Sequence, residues 1–238
     1  RVGSYGSVWA ALGPMLAGEA IYGRDVQRDG ALAATGVYKV AARVTAPLND
    51  LLCELHSHRV LEVGVPAGLL ESLVSSAPER LGVGLDRHQP ALVEAEARAK
   101  AQGVEGLTFV HGDFFEPDTW VEQLPMGKRG AIISMHFHEL VADGGERLVR
   151  TLARLRELLP GWHVVVVEQD QLKESARSEV SSTLWSYNAS NVLIHHLIGN
   201  GRILGREEWL ALFGEAGTQV VRINHLGFLG YHAYVLEL

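Results

Sequence analysis

The sequence has little cysteine, no long apolar run and no surplus of positive charge, and each shortage excludes a class of function. Cys53 is the only cysteine. An intrachain disulfide and a cysteine-rich zinc site are therefore excluded, and a reducing, cytoplasmic setting is expected. No apolar stretch approaches the roughly 18 residues that a membrane span needs, so no membrane partner is expected. Basic residues number 21 against 28 acidic ones, a formal net charge of -7. That is the wrong sign for a nucleic-acid binder working by phosphate neutralisation. Internal repeats and low-complexity tracts are missing too. What remains is a chain of 238 residues, 47% hydrophobic and 21% charged, enough for one large domain or a domain with a short extension. Arg1 in place of an initiator methionine leaves open what precedes it.

From about residue 58 onward, short Val/Ile/Leu-rich runs alternate with helical patterns. The patterns predict strands at 58–64, 81–85, 107–111, 131–135 and 162–168, with helices at 67–76, 90–102 and 145–159. Pro90 suits the first turn of the second helix and Gly103 stops it. A helical stretch over 175–198, a helix at 206–214 and two strands at 219–224 and 230–236, read as an antiparallel pair, complete the order. Near-continuous apolar strands separated by helices predict a doubly wound α/β domain over residues 58–238, with a mostly parallel seven-stranded sheet. Residues 1–57 read instead as an N-terminal helical cap, with a helical pattern from 31 to 55. Tyr5, Trp9, Tyr22, Tyr38 and Arg43 in the cap either roof a planar ligand or form the cap's own core and surface.

In such sheets ligands bind beyond the carboxyl ends of the strands, where the winding reverses. The first strand ends in Glu62-Val63-Gly64-Val65-Pro66-Ala67-Gly68, whose glycines suit a tight turn close to a ligand. Asp86 closes the second strand, where a carboxylate can accept both hydroxyls of a ribose. Asp113 and Phe114 follow the third, placed to receive an adenine amino group and flank a base. A dinucleotide wants a glycine-rich cradle for its pyrophosphate. Pro66 removes a donor from that cradle and Glu62 adds a negative charge, both poor for phosphate. S-adenosylmethionine has no phosphate and carries a sulfonium and an ammonium, which an acidic loop favours.

VLEVGVPAG, GLD, VHGDFF and AIISMHFHEL, in this order and spacing, resemble the class I S-adenosylmethionine-dependent methyltransferases over about residues 58–238. The family usually has glycine at the position of Pro66. The resemblance implies a Rossmann-like fold with S-adenosylmethionine as cofactor. Glu62, Gly64 and Gly68 would line its methionine end, Asp86 would take the ribose, Asp113 with Phe114 the adenine, and Ser134 would complete the cofactor site. The segments 136–168 and 205–212 (GREEWLAL) further resemble the small-molecule O-methyltransferases related to the caffeate and plant phenol enzymes. There a His-acid pair after the fourth strand supplies the general base; here the pair would be His138-Glu139. The acceptor would be a small molecule of secondary metabolism. A homodimer also follows from the resemblance, although the winged-helix dimerisation domain of those enzymes is not found in these residues.

Of the 11 histidines, most read as surface or packing residues. His136 and His138 stand at the edge where the acceptor should lie, and His195 and His196 sit in NVLIHHLIGNGR. Methyl transfer needs in-line alignment and a base for the acceptor hydroxyl, a role suited to imidazole. A second mechanism gives His136, His138, His195 and His196 one divalent metal, which would hold the enolate of a 2-oxo acid for C-methylation. Trp185 and Tyr187, between the fifth strand and the late helix, are candidates to face the acceptor. Two readings of other classes stay open, a non-catalytic partner that kept the fold and a nicotinamide-binding oxidoreductase.

Overall fold

The computed structural model describes residues 2–65, 68–124 and 129–238. Pro66 and Ala67, on which part of the loop reading rests, lie outside the described residues. In chain order the elements are α1 (Gly6–Ala10), α2 (Leu12–Leu16), α3 (Gly30–Glu54), β1 (Arg59–Val63), α4 (Leu69–Ser75), β2 (Leu81–Asp86), α5 (Gln89–Gln102) and β3 (Leu107–His111). They continue with β4 (Ala131–Ser134), α6 (Phe137–Leu140), α7 (Glu146–Leu158), β5 (His163–Gln169), α8 (Ser182–Ile198), α9 (Arg206–Glu215), β6 (Gln219–His225) and β7 (Tyr231–Glu237). The predicted strands and the helices between them recur within one or two residues. The stretch 175–198 is shorter than its pattern suggests, because Glu174–Ala176 forms a separate 3-10 turn and α8 starts only at Ser182. There the Ser181 hydroxyl accepts the Leu184 amide and caps the helix.

The strands form one seven-stranded sheet in the order β3-β2-β1-β4-β5-β7-β6. Strands β1 to β5 are parallel, and β7 runs antiparallel between β5 and β6. The winding reverses between β1 and β4, so a crevice opens there at the carboxyl edge. Register aligns the strand ends that matter: Val63 stands opposite Leu85 and Ser134, and Asp86 opposite His111.

Side chains alternate across the sheet and divide the core into two layers. Leu61, Ile132, Val164 and Val166 face α7 and α9, where Leu148, Leu152, Leu155, Trp209 and Phe213 are buried. Val60, Ile133, Val165 and Val167 face α3 and α4, through Val44, Leu48, Leu51, Leu69 and Leu73. The long helix of the N-terminal segment is therefore packed onto the sheet. Burying each such Leu or Val contributes on the order of 1.5–3 kcal/mol, and this layer orients the segment over the crevice. Tyr5, Val8 and Val26 pack with Ile194 and Ile198 of α8, tying the start of the chain to the other wall.

Candidate active site

A cavity of about 650 Å³ lies over the ends of β1, β2, β3 and β4. One side is made by Gly64, Asp86, Asp113 and Phe114, the other by Tyr5, Arg28, His136, His138, Glu139 and His195. Gly64 has φ of 76°, a conformation that side chains other than glycine enter at a cost, and it brings bare backbone to the cavity wall. Asp86 accepts the His88 amide at 2.8 Å and the Val65 amide at 3.3 Å. These bonds fix the carboxylate at the strand end while leaving lone pairs for a ligand. Asp113 accepts the Phe115 amide at 2.9 Å in the same manner, and Arg147 stands 3.9 Å from its other oxygen. Phe114 is buried against Phe137 and Trp120; Phe115 beside it is more open and carries the Arg147 guanidinium 4.1 Å from its ring centre.

The opposite side is organised around His138. Phe137 is fully buried in the core, which draws the turn after β4 inward and seats His138, itself 5% exposed. Its Nδ1 lies 2.8 and 3.0 Å from the two oxygens of Glu168, and its amide donates to the same carboxylate at 3.0 Å. A ring nitrogen between two carboxylate oxygens is the protonated one, so Nε2 is left with its lone pair. The main chain is held as well, since the Arg202 amide donates to the His138 carbonyl at 2.8 Å. Gly201 makes that approach possible: its φ is 85°, and a Cβ there would overlap the His138 carbonyl oxygen. The His195 ring meets His138 edge-on at 4.8 Å, and its Nδ1 is bound to the Asn200 carbonyl at 2.8 Å. Burial pushes the Glu139 carboxyl up, but positive charge on this side of the cavity, that of Arg28 included, outweighs it and holds the group below its ordinary value.

Known family models give no match to the chain. Among curated proteins, a tRNA (guanine-N(7)-)-methyltransferase of Nitrosococcus oceani is 36% identical over 76 residues, covering 30% of this chain and 31% of that protein. Among solved structures, a Nostoc punctiforme PCC 73102 protein described as an O-methyltransferase superposes with a TM-score of 0.64 at 15% identity, covering all of this chain and 70% of that one. The mitomycin 7-O-methyltransferase MmcR matches 87% of this chain with a TM-score of 0.58 at 21% identity. CalO1, a methyltransferase in calicheamicin biosynthesis solved with S-adenosylhomocysteine bound, matches 75% with a TM-score of 0.54 at 20% identity. The fold is the class I methyltransferase fold. The chain spans about half the length of MmcR and CalO1 (54% and 48%) and less than a third of the tRNA enzyme.

Within this methyltransferase fold the residues singled out from sequence separate into three groups. Gly64, Asp86, Asp113, Phe114, His136, His138, Glu139 and His195 meet at the cavity. Glu62, Gly68 and Ser134 lie behind its wall. Glu62 is buried and accepts the Leu70 amide at 3.2 Å, Gly68 opens α4 in a left-handed conformation, and the Ser134 hydroxyl accepts the His136 amide at 3.1 Å. Trp185 and His196 line a different cavity of about 470 Å³ on another flank of α8, and Tyr187 lines neither. Neighbours on a helix point about 100° apart, so His195 and His196 cannot share one ligand. Among the described residues no three His, Cys, Asp or Glu side chains converge at metal-ligand spacing, and the metal reading of the histidines finds no support.

One expectation changes in detail. The carboxylate on the His138 ring is Glu168, 30 residues away, and not the adjacent Glu139. Glu139 follows His138 in a helical turn, where consecutive side chains diverge. Glu168 carries a readable signal, an acid directly after the apolar run 164–167, as Asp86 follows the run of β2, whereas Arg28 and Gly201 carry none. Among the described residues no helix is long and apolar enough to cross a membrane.

Proposed function

We propose that the protein is an S-adenosylmethionine-dependent methyltransferase acting on a hydroxyl of a small molecule, with His138 as general base. The observation that carries the proposal is that one cavity holds both the strand-end carboxylates and a histidine whose tautomer is fixed for proton abstraction. The residues present fit the cofactor. Asp86 and Asp113 offer acceptors at the ends of β2 and β3, and Gly64 leaves the wall open where a side chain would intrude. In this reading Asp86 holds the ribose, Asp113 and Phe114 the adenine end, and Gly64 the methionine end. Glu62, Gly68 and Ser134 shape the loops behind them.

S-adenosylmethionine supplies an electrophilic methyl group on a good leaving group. His138 Nε2 takes the proton of the acceptor hydroxyl as its oxygen attacks, and Glu168 stabilises the imidazolium and keeps the ring oriented. Such base catalysis is worth on the order of 10²–10⁴ in rate. Glu139 adds a second negative charge beside the ring without a direct bond to it. The biosynthetic settings of MmcR and CalO1 favour a natural-product acceptor here as well.

Calorimetric titration with S-adenosylhomocysteine tests the first half of this reading. Micromolar affinity is the expected result, and a folded protein without affinity would move the assignment to a non-catalytic partner. Transfer of a labelled methyl group to hydroxylated aromatic acceptors tests the second half.

A further inference from the structure

The acceptor side of the cavity contains a cation that methyl transfer itself does not use. Arg28 is half-buried, precedes α3, and lines the same cavity as His136, His138 and His195. Its position is built rather than incidental. Val26, two residues before it, and Tyr5, which it contacts, are buried against α8, the helix that bears His195. The Asp29 amide donates to the Ser4 carbonyl at 2.9 Å, closing the segment on itself. Arg28 Nη1 donates to the Tyr5 hydroxyl at 3.0 Å, and the guanidinium lies 6.0 Å from the Tyr5 ring.

Neither contact neutralises the charge. Asp25, three residues earlier, is engaged by Arg24 through both of its oxygens. Among the described residues no carboxylate forms an ion pair with Arg28, and Glu139 acts on it only at a distance. Of the other two arginines that line the cavity, Arg147 is by contrast stacked on Phe115 and close to Asp113, and Arg87 is exposed to water after β2, where it donates to the His88 ring at 3.4 Å. A guanidinium partly withdrawn from water is costly to leave unpaired, and its planar fork is shaped for a carboxylate. A doubly charged phosphate would suffer more from Glu139 and Glu168 on the same side.

We propose that Arg28, oriented by Tyr5, binds a carboxylate of the acceptor, so that the substrate class is hydroxy acids. The inference rests on the methyltransferase reading and deepens it. His138 takes the hydroxyl proton at one end of the acceptor while Arg28 fixes the acid at the other. The N-terminal segment thereby sets specificity for a reaction carried out by the sheet domain.

The test uses matched pairs that differ only at the acid: 3,4-dihydroxybenzoic acid and caffeic acid, each against its methyl ester. Affinity of S-adenosylhomocysteine is measured first, because its absence strikes the methyltransferase reading and not Arg28. Binding of each acid and ester to the S-adenosylhomocysteine-loaded protein then decides the inference. Wild type is expected to bind at least one acid on the order of tenfold or more tighter than its ester. Arg28→Gln is expected to remove that preference and leave ester and S-adenosylhomocysteine affinity unchanged, and Arg28→Lys to restore part of it. Equal affinity for acid and ester, no binding of either acid at millimolar concentration, or a variant that weakens acid and ester alike would overturn the proposal. In turnover with labelled S-adenosylmethionine, the same preference should appear in KM more than in kcat.

Discussion

The proposed cofactor side of the cavity is made by residues at the ends of β1, β2 and β3, each braced by near neighbours. The proposed acceptor side is drawn from Tyr5, Arg28, His138, Glu168, His195 and Gly201, which meet only because α6, α8, β5 and three connecting segments converge. Asp86 and Asp113 are each held by an amide two residues further on. His138 is held by a carboxylate 30 residues away and by an amide from beyond α8. Local bracing keeps a binding motif intact in any chain that forms the strand and its turn. Remote bracing makes the acceptor side depend on the packing of the whole molecule, so the two sides should fail separately.

The sharpest separation is expected at His138. His138→Ala should lower turnover by about 10²–10⁴ while S-adenosylhomocysteine affinity stays within about twofold. Turnover near wild type would remove His138 from the mechanism. Gly201→Ala follows, because a Cβ overlapping the His138 carbonyl must displace that residue or the segment after α8. A displacement of about 1 Å costs on the order of 10² in rate, again with S-adenosylhomocysteine affinity retained. If the variant binds S-adenosylhomocysteine and turns over normally, the backbone clamp on His138 has no functional weight.

The paired substitutions Glu168→Gln and Glu139→Gln compare two carboxylates within the acceptor side. Loss of a charge-assisted hydrogen bond is worth about 1.5–3 kcal/mol, so Glu168→Gln should lower kcat roughly 10-fold to 100-fold. Glu139→Gln, which has no hydrogen bond to the ring, should cost less. The reverse order would return the orienting role to Glu139. On the cofactor side, Asp86→Asn should weaken S-adenosylhomocysteine binding about tenfold and change kcat little at saturation. Unchanged affinity would displace the ribose from Asp86.

The same contrast explains what was legible in the sequence. Strand identity was readable because buried parallel strands are continuous apolar runs, and the strand-end acids were readable because their positions follow from those runs. The sequence offers Glu139 as the ring partner of His138, but adjacency in sequence is not adjacency in a helical turn, and the bond goes to Glu168. His195 and His196 are adjacent in the same way, and α8 turns His196 into another cavity. Arg28 had no signal at all, because its value depends on Tyr5 and α8, which only the folded chain brings near it.

The smallest effect is expected behind the cofactor wall. Glu62 is buried beneath the loop after β1, and burial, then the charge of Glu71, pushes its carboxyl up to about 8 from 4.5. Leu70, whose amide it accepts, and Arg98 lower it only in part. The unfolded chain gives up this proton above about 4.5 whereas the folded protein keeps it until about 8. The folded state therefore binds more protons across that window, and stability from this group is full below the window and lost as pH rises through it. The slope is on the order of 1 kcal/mol per pH unit. Glu62→Gln removes the ionisation and keeps the shape, so melting temperatures of wild type and variant should diverge between pH 5 and pH 8, with the variant gaining as pH rises. Parallel curves would mean that Glu62 titrates as an ordinary carboxylate. In that case the wall behind the loop is wetter than its burial implies, and the local bracing of the cofactor side would rest on Asp86 and Asp113 alone.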